Sequence, residues 1–287
     1  MSEIYNMLKK IGVAISLHRY ELAIKLSKKV LSIDPNISFA YYYMSLANVY
    51  LGKLDEAEKL VKLVLFDDPI SQYGLSLYCI ILFQKGQYQS TIDIANEVLK
   101  INPQNENAIY FKAYALYNLG DYKKAEYYFK QVLAISPTSN LSHIKLANIY
   151  SETNRKKIAE QEYLEALKLA PNDAYSLNCY GKYLLKQNCY SKKGLECLKS
   201  SLKNEPNNED VILYYEAYST IQNLLFIFLK SYKEIFEFFF SKRDIFLIFI
   251  LSIILYFLGC PEYKITLIFL PFYILYIISC IIGKYVN

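Results

Sequence analysis

Five prolines stand at one fixed interval: Pro35, Pro69, Pro103, Pro137 and Pro171, each 34 residues after the last. Proline has no N–H and pushes the residue before it out of the helical region, so each one ends a helix. A second series runs in phase with the first: Gly52, Gly86, Gly120, Asn154 and Asn188. Glycine, and next to it asparagine, takes the left-handed conformation that closes a helix. A third series is small (Ser45, Cys79, Ala113, Ala147, Gly181), and so is a fourth (Ala23, Ala57, Thr91, Ala125, Ala159). Two helices per period follow, meeting closely where the small residues fall. Few other folds fit such a chain.

The pattern predicts an inner helix in each period, over residues 2–17, 38–51, 72–85, 106–119, 140–153 and 174–187. The outer helices are predicted over 20–32, 54–66, 88–100, 122–134, 156–169 and 191–204. Ser71, Asn105, Ser139, Asp173 and Asn208 stand two residues after successive prolines as candidate N-caps. Helices of this length are marginal alone and persist by stacking on neighbours.

A 34-residue helix–turn–helix period resembles the tetratricopeptide repeat. The residues that carry the likeness are Gly120, Tyr122, Ala125, Phe129 and Pro137 in one unit. In the next they are Leu146, Ala147, Tyr150, Ala159, Tyr163, Ala166 and Pro171. The likeness extends over roughly residues 4–206, about six units. The family's tryptophan is absent, and Tyr41, Leu75, Ile109, His143 and Leu177 stand in its place. The resemblance implies an all-α fold, a right-handed superhelix of stacked repeats with a concave face lined by the inner helices.

On the family pattern that face carries Phe39, Tyr42, Tyr43, Leu46, Tyr50, Tyr73, Leu77, Ile80, Phe83, Asn107, Tyr110, Phe111, Tyr114, Tyr117 and Asn118 in its first half. In its second half it carries Ile144, Lys145, Asn148, Glu152, Tyr175, Asn178, Lys182 and Lys186. The candidate partner-binding set is Tyr42, Tyr43, Tyr73, Tyr110, Phe111, Tyr114, Lys145, Asn148, Asn178 and Lys182. It suits an extended or helical peptide with apolar anchors and a nearby acidic group, since tyrosine offers contact area at low entropy cost. Ordinary packing in a chain with 30 tyrosines is the competing explanation. A carboxylate clamp of the kind some family members use is not matched, because Lys145, Asn148, Asn178 and Lys182 fall in the wrong order without an arginine.

Other classes find little footing. The net charge of +5 is spread thinly, and the lysine pairs lie beside acidic residues, so no nucleic-acid stripe is expected. Two histidines at unrelated places and six scattered cysteines give no catalytic constellation and no metal or cofactor site. The chain reads as a non-enzyme, with a protein or peptide as partner and no small-molecule substrate.

Beyond residue 222 the chemistry changes. Residues 209–222 are predicted as a closing helix, ending a repeat domain of residues 1–222. Residues 224–240 are apolar with interspersed charges, as in a helix lying on a membrane surface, or in a seventh outer helix. Residues 223–243 form this interfacial segment and linker. Residues 244–287 then hold two uncharged runs, 245–260 and 265–283. As helices these are about 24 and 28 Å long, against a hydrocarbon core of about 30 Å. A two-span transmembrane hairpin is expected in a lipid bilayer, with repeats and C-terminus in the cytosol by the basic residues Lys242, Arg243 and Lys284. The functional expectation is a membrane-anchored interaction scaffold or adaptor. An assembly factor for a membrane or secreted client and a structural subunit of a membrane complex are the alternatives.

Overall fold

The computed structural model describes residues 2–189 and 191–239. Among them are thirteen helices and no strand: α1 (Ser2–Ser16), α2 (Tyr20–Ile33), α3 (Ser38–Tyr50), α4 (Leu54–Asp67), α5 (Gln72–Gln84), α6 (Tyr88–Ile101), α7 (Glu106–Asn118), α8 (Tyr122–Ile135), α9 (Asn140–Glu152), α10 (Lys156–Leu169), α11 (Ala174–Gln187), α12 (Lys192–Asn204) and α13 (Glu209–Phe239). The chain divides into two compact units, one ending at Tyr180 and one beginning at Gly181.

In the first unit each odd helix pairs with the even helix after it and packs against the even helix before it. Successive odd helices also touch: α1 with α3, α3 with α5, α5 with α7, α7 with α9. That arrangement explains a difference in composition. Even helices bury one stripe, as in Ala57, Val61 and Val64 of α4 or Ala125, Phe129 and Val132 of α8, at spacings of four and three. Odd helices are enclosed on more sides. Thus α5 buries Gly74, Leu75, Leu77, Cys79, Ile81 and Leu82.

The turns within the pairs repeat one hydrogen-bond pattern. At Gly120 the N–H donates to the Tyr117 carbonyl, and the next N–H, of Asp121, reaches back to the Leu116 carbonyl, both at 3.0 Å. This is a Schellman closure, and it needs a positive φ at its centre. Gly120 has φ +82°. The same two bonds close the turns at Gly52, Gly86, Asn154 and His18. His18 and Asn154 hold φ of 56° and 58° despite their side chains.

The proline turns have their own device. Asp34, Asp68 and Asn102 precede prolines, and each side-chain Oδ1 accepts the N–H two residues on, from Asn36, Ile70 and Gln104. The N-caps follow at Ser71, Asn105, Asp173 and Asn208, whose side chains accept from Gly74, Ala108, Ser176 and Val211. Ser139 departs from expectation: its hydroxyl pairs with the Ser142 hydroxyl at 2.9 Å and caps no N–H. Asp121 and Ser191 act as caps that the proline spacing does not mark.

The small-residue series lies where paired helices cross. Ser45 Oγ donates to the Ala57 carbonyl at 2.8 Å, from one helix backbone to the next. Ala113, Ala125, Ala147 and Ala159 are fully buried. In the second unit, a Cβ on Gly181 would lie 2.9 Å from the Gly194 carbonyl oxygen.

Also in the second unit, α12 packs on α13 around Leu198 and Val211. Helix α13 is continuous from Glu209 to Phe239. The closing helix expected over 209–222 and the apolar segment expected to follow it are one element, because no proline or glycine interrupts the run. Among the described residues no helix is long and apolar enough to cross a membrane. The spans expected at 245–260 and 265–283 lie outside the described residues.

Candidate functional site

The odd helices bring the predicted aromatic residues into two groups. In the first, Phe39 of α3 stacks on Tyr73 of α5 with centroids 4.8 Å apart, and Tyr42 meets Tyr73 nearly edge-on at 5.4 Å. Phe39 and Tyr73 are exposed, at 45 % and 37 %. Tyr42 is half-buried against the Val49, Val61 and Ile81 cluster, and burial pushes its hydroxyl above the usual range. Tyr43 meets the Tyr42 ring at 5.5 Å and packs in part on the cluster around Ile11 and Ala14.

The second group joins α5, α7 and α8. Phe83 lies 5.5 Å from Phe111 and 4.5 Å from Tyr114. Tyr110 touches Phe111, Tyr114 and the buried Phe129. Burial drives the Tyr110 hydroxyl well above its ordinary pKa, and that of Tyr117 up to about 12. Tyr110 is therefore partly a core residue, and its replacement would be felt in the fold as well as at the surface.

Helix α9 adds a lysine to this second group. Lys145 is only 4 % exposed. Its Nζ lies 3.8 Å from the centre of the Tyr114 ring and donates to the Tyr175 hydroxyl at 2.7 Å. Loss of hydration lowers its pKa from 10.5 to about 8. So Tyr110, Phe111, Tyr114 and Lys145 lie together. The remaining candidates are differently placed. Asn148 accepts a hydrogen bond from Tyr163 and thereby ties α9 to α10. Asn178 is half-buried, with an Oδ1 that meets no donor among the described residues. Lys182, in the second unit, is ion-paired with Asp210 and lies over the Tyr214 ring. Tyr175, Phe39 and Phe83, outside the candidate set, also lie in these groups. Their signal is in the sequence, as aromatic residues at the same inner-helix positions.

Ionic contacts elsewhere are structural ties. Glu58 is held down to about 2 by hydrogen bonds from Lys62 and Lys85. Burial would raise the Glu126 carboxyl, but Arg155 and Lys130 outweigh it and bring it to about 2. His143 Nδ1 lies 2.7 Å from Glu162, which raises the imidazole pKa above 6.5. No cluster of His, Cys, Asp and Glu that could hold a metal occurs among the described residues.

With this geometry in view, likenesses to known proteins decide the fold type. Residues 119–178 match the tetratricopeptide repeat model, and residues 51–132 match that of anaphase-promoting complex, cyclosome, subunit 3. The array has the fold of a tetratricopeptide-like repeat solenoid. Solved structures agree on that fold. PilF of Pseudomonas aeruginosa superposes with a TM-score of 0.61 at 15% identity, covering 76% of this chain and 96% of its own. The thermophilic tetratricopeptide protein TTC0263 of Thermus thermophilus gives 0.56 at 23% identity, covering 63% and 99%. A double mutant of MamA RS-1 gives 0.52 at 16%, covering 59% and 95%. No curated protein matches the chain. Tetratricopeptide domains in general bind proteins or peptides on extended helical faces, and the fold suggests an interaction scaffold.

Proposed function

We propose that this tetratricopeptide array is a membrane-tethered scaffold that binds one segment of a partner protein along its odd helices. The observation that carries the reading is the pair Phe39 and Tyr73. Two large rings stack on one another yet stay more than a third exposed, where a purely structural pair would be covered. Rigid aromatic rings of this kind supply contact area at little entropic cost. The Tyr110, Phe111, Tyr114 and Phe83 group continues the apolar surface along the same series of helices. The tether is residues 244–287, whose two uncharged runs suit a bilayer better than water.

Phe39→Ala with Tyr73→Ala tests the binding face. These rings are partly solvent-exposed, so the double variant should keep a melting temperature within a few degrees of the parent while losing partner affinity tenfold or more. The check is capture of a membrane-extract partner by the full chain, by the double variant and by a chain ending at residue 243. The scaffold reading requires that the shortened chain keep its partner. If only the full chain captures it, the repeats are a passive subunit of a membrane complex. Tyr110→Ala with Tyr114→Ala is a poorer test than the sequence suggests, because Tyr110 packs on the buried Phe129.

A further inference from the structure

Burying a lysine strips its ammonium of hydration, and only a close anion or several acceptors replace what is lost. Partly buried lysines elsewhere in the chain obey this rule. Lys85 is neutralised by Asp55 and Glu58, and Lys182 by Asp210. Lys145 is more deeply buried than either, and the acidic group that acts on it is the Cys179 thiol, not a carboxylate. Its ammonium has three N–H donors. One is spent on the Tyr175 hydroxyl, and the Tyr114 ring gives a weaker cation–π contact.

A second unmet demand lies close in the fold. Asn178 follows Tyr175 by three residues on α11, about one helical turn, and its buried Oδ1 has no donor. A lysine lacking a carboxylate and an amide oxygen lacking an N–H thus flank the same tyrosine. The neighbouring surface is the aromatic group of Phe83, Tyr110 and Tyr114. Tyr175 itself is 37 % exposed, so rotation of its ring outward uncovers Nζ.

We propose that Lys145 recognises an aspartate or glutamate side chain in the partner segment. This rests on the peptide-binding reading above and names the chemistry of that peptide. The carboxylate pairs with Nζ, a backbone N–H of the same segment meets Asn178 Oδ1, and an adjacent apolar side chain packs on Tyr114 and Phe83. A phosphate is disfavoured, since its recognition calls for converging cations or an arginine fork and Lys145 stands alone.

The test uses the full chain in detergent micelles as bait for a library of random 12-residue peptides, flanked at both ends so that no free C-terminus is offered. The parent, Lys145→Met and Lys145→Arg are compared. Parent-selected peptides should share an Asp or Glu beside an aromatic or aliphatic residue. Replacing that acid by its amide in a synthetic peptide should weaken binding to the parent on the order of 30-fold. Lys145→Met should bind acid and amide forms equally, and Lys145→Arg should keep a preference for the acid. A melting temperature of Lys145→Met at or above the parent's excludes loss of fold as the cause. Equal affinity of the parent for acid and amide overturns the proposal, as does an unchanged acid preference in Lys145→Met. Selection of apolar peptides without an acid overturns it too, while leaving the peptide-binding reading intact. Selection of no peptide at all overturns both.

Discussion

Gly181 and Gly194 sit where α11 and α12 cross, and a methyl group on either meets an occupied space. On Gly181 a Cβ would lie 2.9 Å from a backbone carbonyl and 2.9 Å from Leu198 Cδ2. On Gly194 the nearest atom is Leu185 Cγ, at 2.8 Å, which belongs to a side chain. Gly181→Ala should therefore destabilise by about 1–3 kcal/mol, outweighing the gain in helix propensity. Gly194→Ala should cost a comparable amount, because the atom met is the branch carbon of the fully buried Leu185 and the Gly181 carbonyl lies 3.2 Å away. Thermal melting followed by far-ultraviolet circular dichroism measures both. Lys145 sets an opposite expectation. Lys145→Met removes an unpaired buried charge and should stabilise the array by about 1–3 kcal/mol at pH 7. With a folded pKa near 8 against 10.5 unfolded, the unfolded chain holds more protons between those values. Parental stability should thus gain on that of Lys145→Met as pH rises from about 8 to 10.5, and denaturant titrations across that window measure the closing gap. Gly181 was legible as a member of a periodic series, whereas Gly194 falls one residue out of the 34-residue phase set by Ala159. The burial of Lys145 was not. Within its own helix it looks like any groove lysine, and its cover comes from Tyr114 and Tyr175, each about a full repeat away.

Turns and links between elements show which features a period can encode. From α1 to α12 helix ends were read to within a residue or two, because glycine, proline and caps act on their immediate neighbours; the end of α13, which has no such signal, was not. Ser139 shows the limit: the right residue at the right place finds Ser142 instead of an N–H. The ties between repeats lay beyond reach for another reason. Glu58 and Glu126 occupy equivalent places two repeats apart, each one residue after a small crossing residue. Each binds a cation near the end of the next odd helix, Lys85 for Glu58 and Arg155 for Glu126, and each receives a tyrosine hydroxyl, from Tyr78 and Tyr150. Ile92 stands at the place between, and Glu160 at the next place receives the Tyr180 hydroxyl, so the device follows the 34-residue period only in part. The carboxyl of Glu126 is near 2 in the fold and 4.5 otherwise. Its contribution is complete above 4.5 and is lost as pH falls toward 2. Glu126→Gln should be less stable than the parent at pH 7, and the difference should shrink through that acid window. Melting temperatures of the two chains at pH 7, 4.5 and 3 decide it; a constant difference would mean the carboxylate is not what ties α8 to its neighbours.

At the scale of the molecule, a solenoid couples each repeat only to its neighbours, so one end need not resemble the other. Such an array usually closes with a helix that is polar outside, yet α13 has exposed Leu213, Leu224 and Ile227 and leads toward residues with almost no charge. Residues 265–283 contain 19 residues without a charge, and 245–260 contain 16, separated by a short segment with Pro261, Glu262 and Lys264. A charge-free run of 19 residues is long enough, at about 28 Å, to cross a hydrocarbon core with little mismatch. The shorter run can cross if the bilayer thins locally or the helix begins upstream. Water offers neither run a partner, whereas lipid requires only that the backbone bonds stay within the helix. The full chain should therefore remain with the membrane pellet through alkaline carbonate extraction, and a chain ending at residue 243 should be released. Protease added to intact spheroplasts or organelles should cut tags at the two termini together or not at all, since two spans return the chain to its starting side. Release of the full chain by carbonate would remove the tether, and protection of one terminus alone would leave a single span, with the longer run, 265–283, as the segment that crosses.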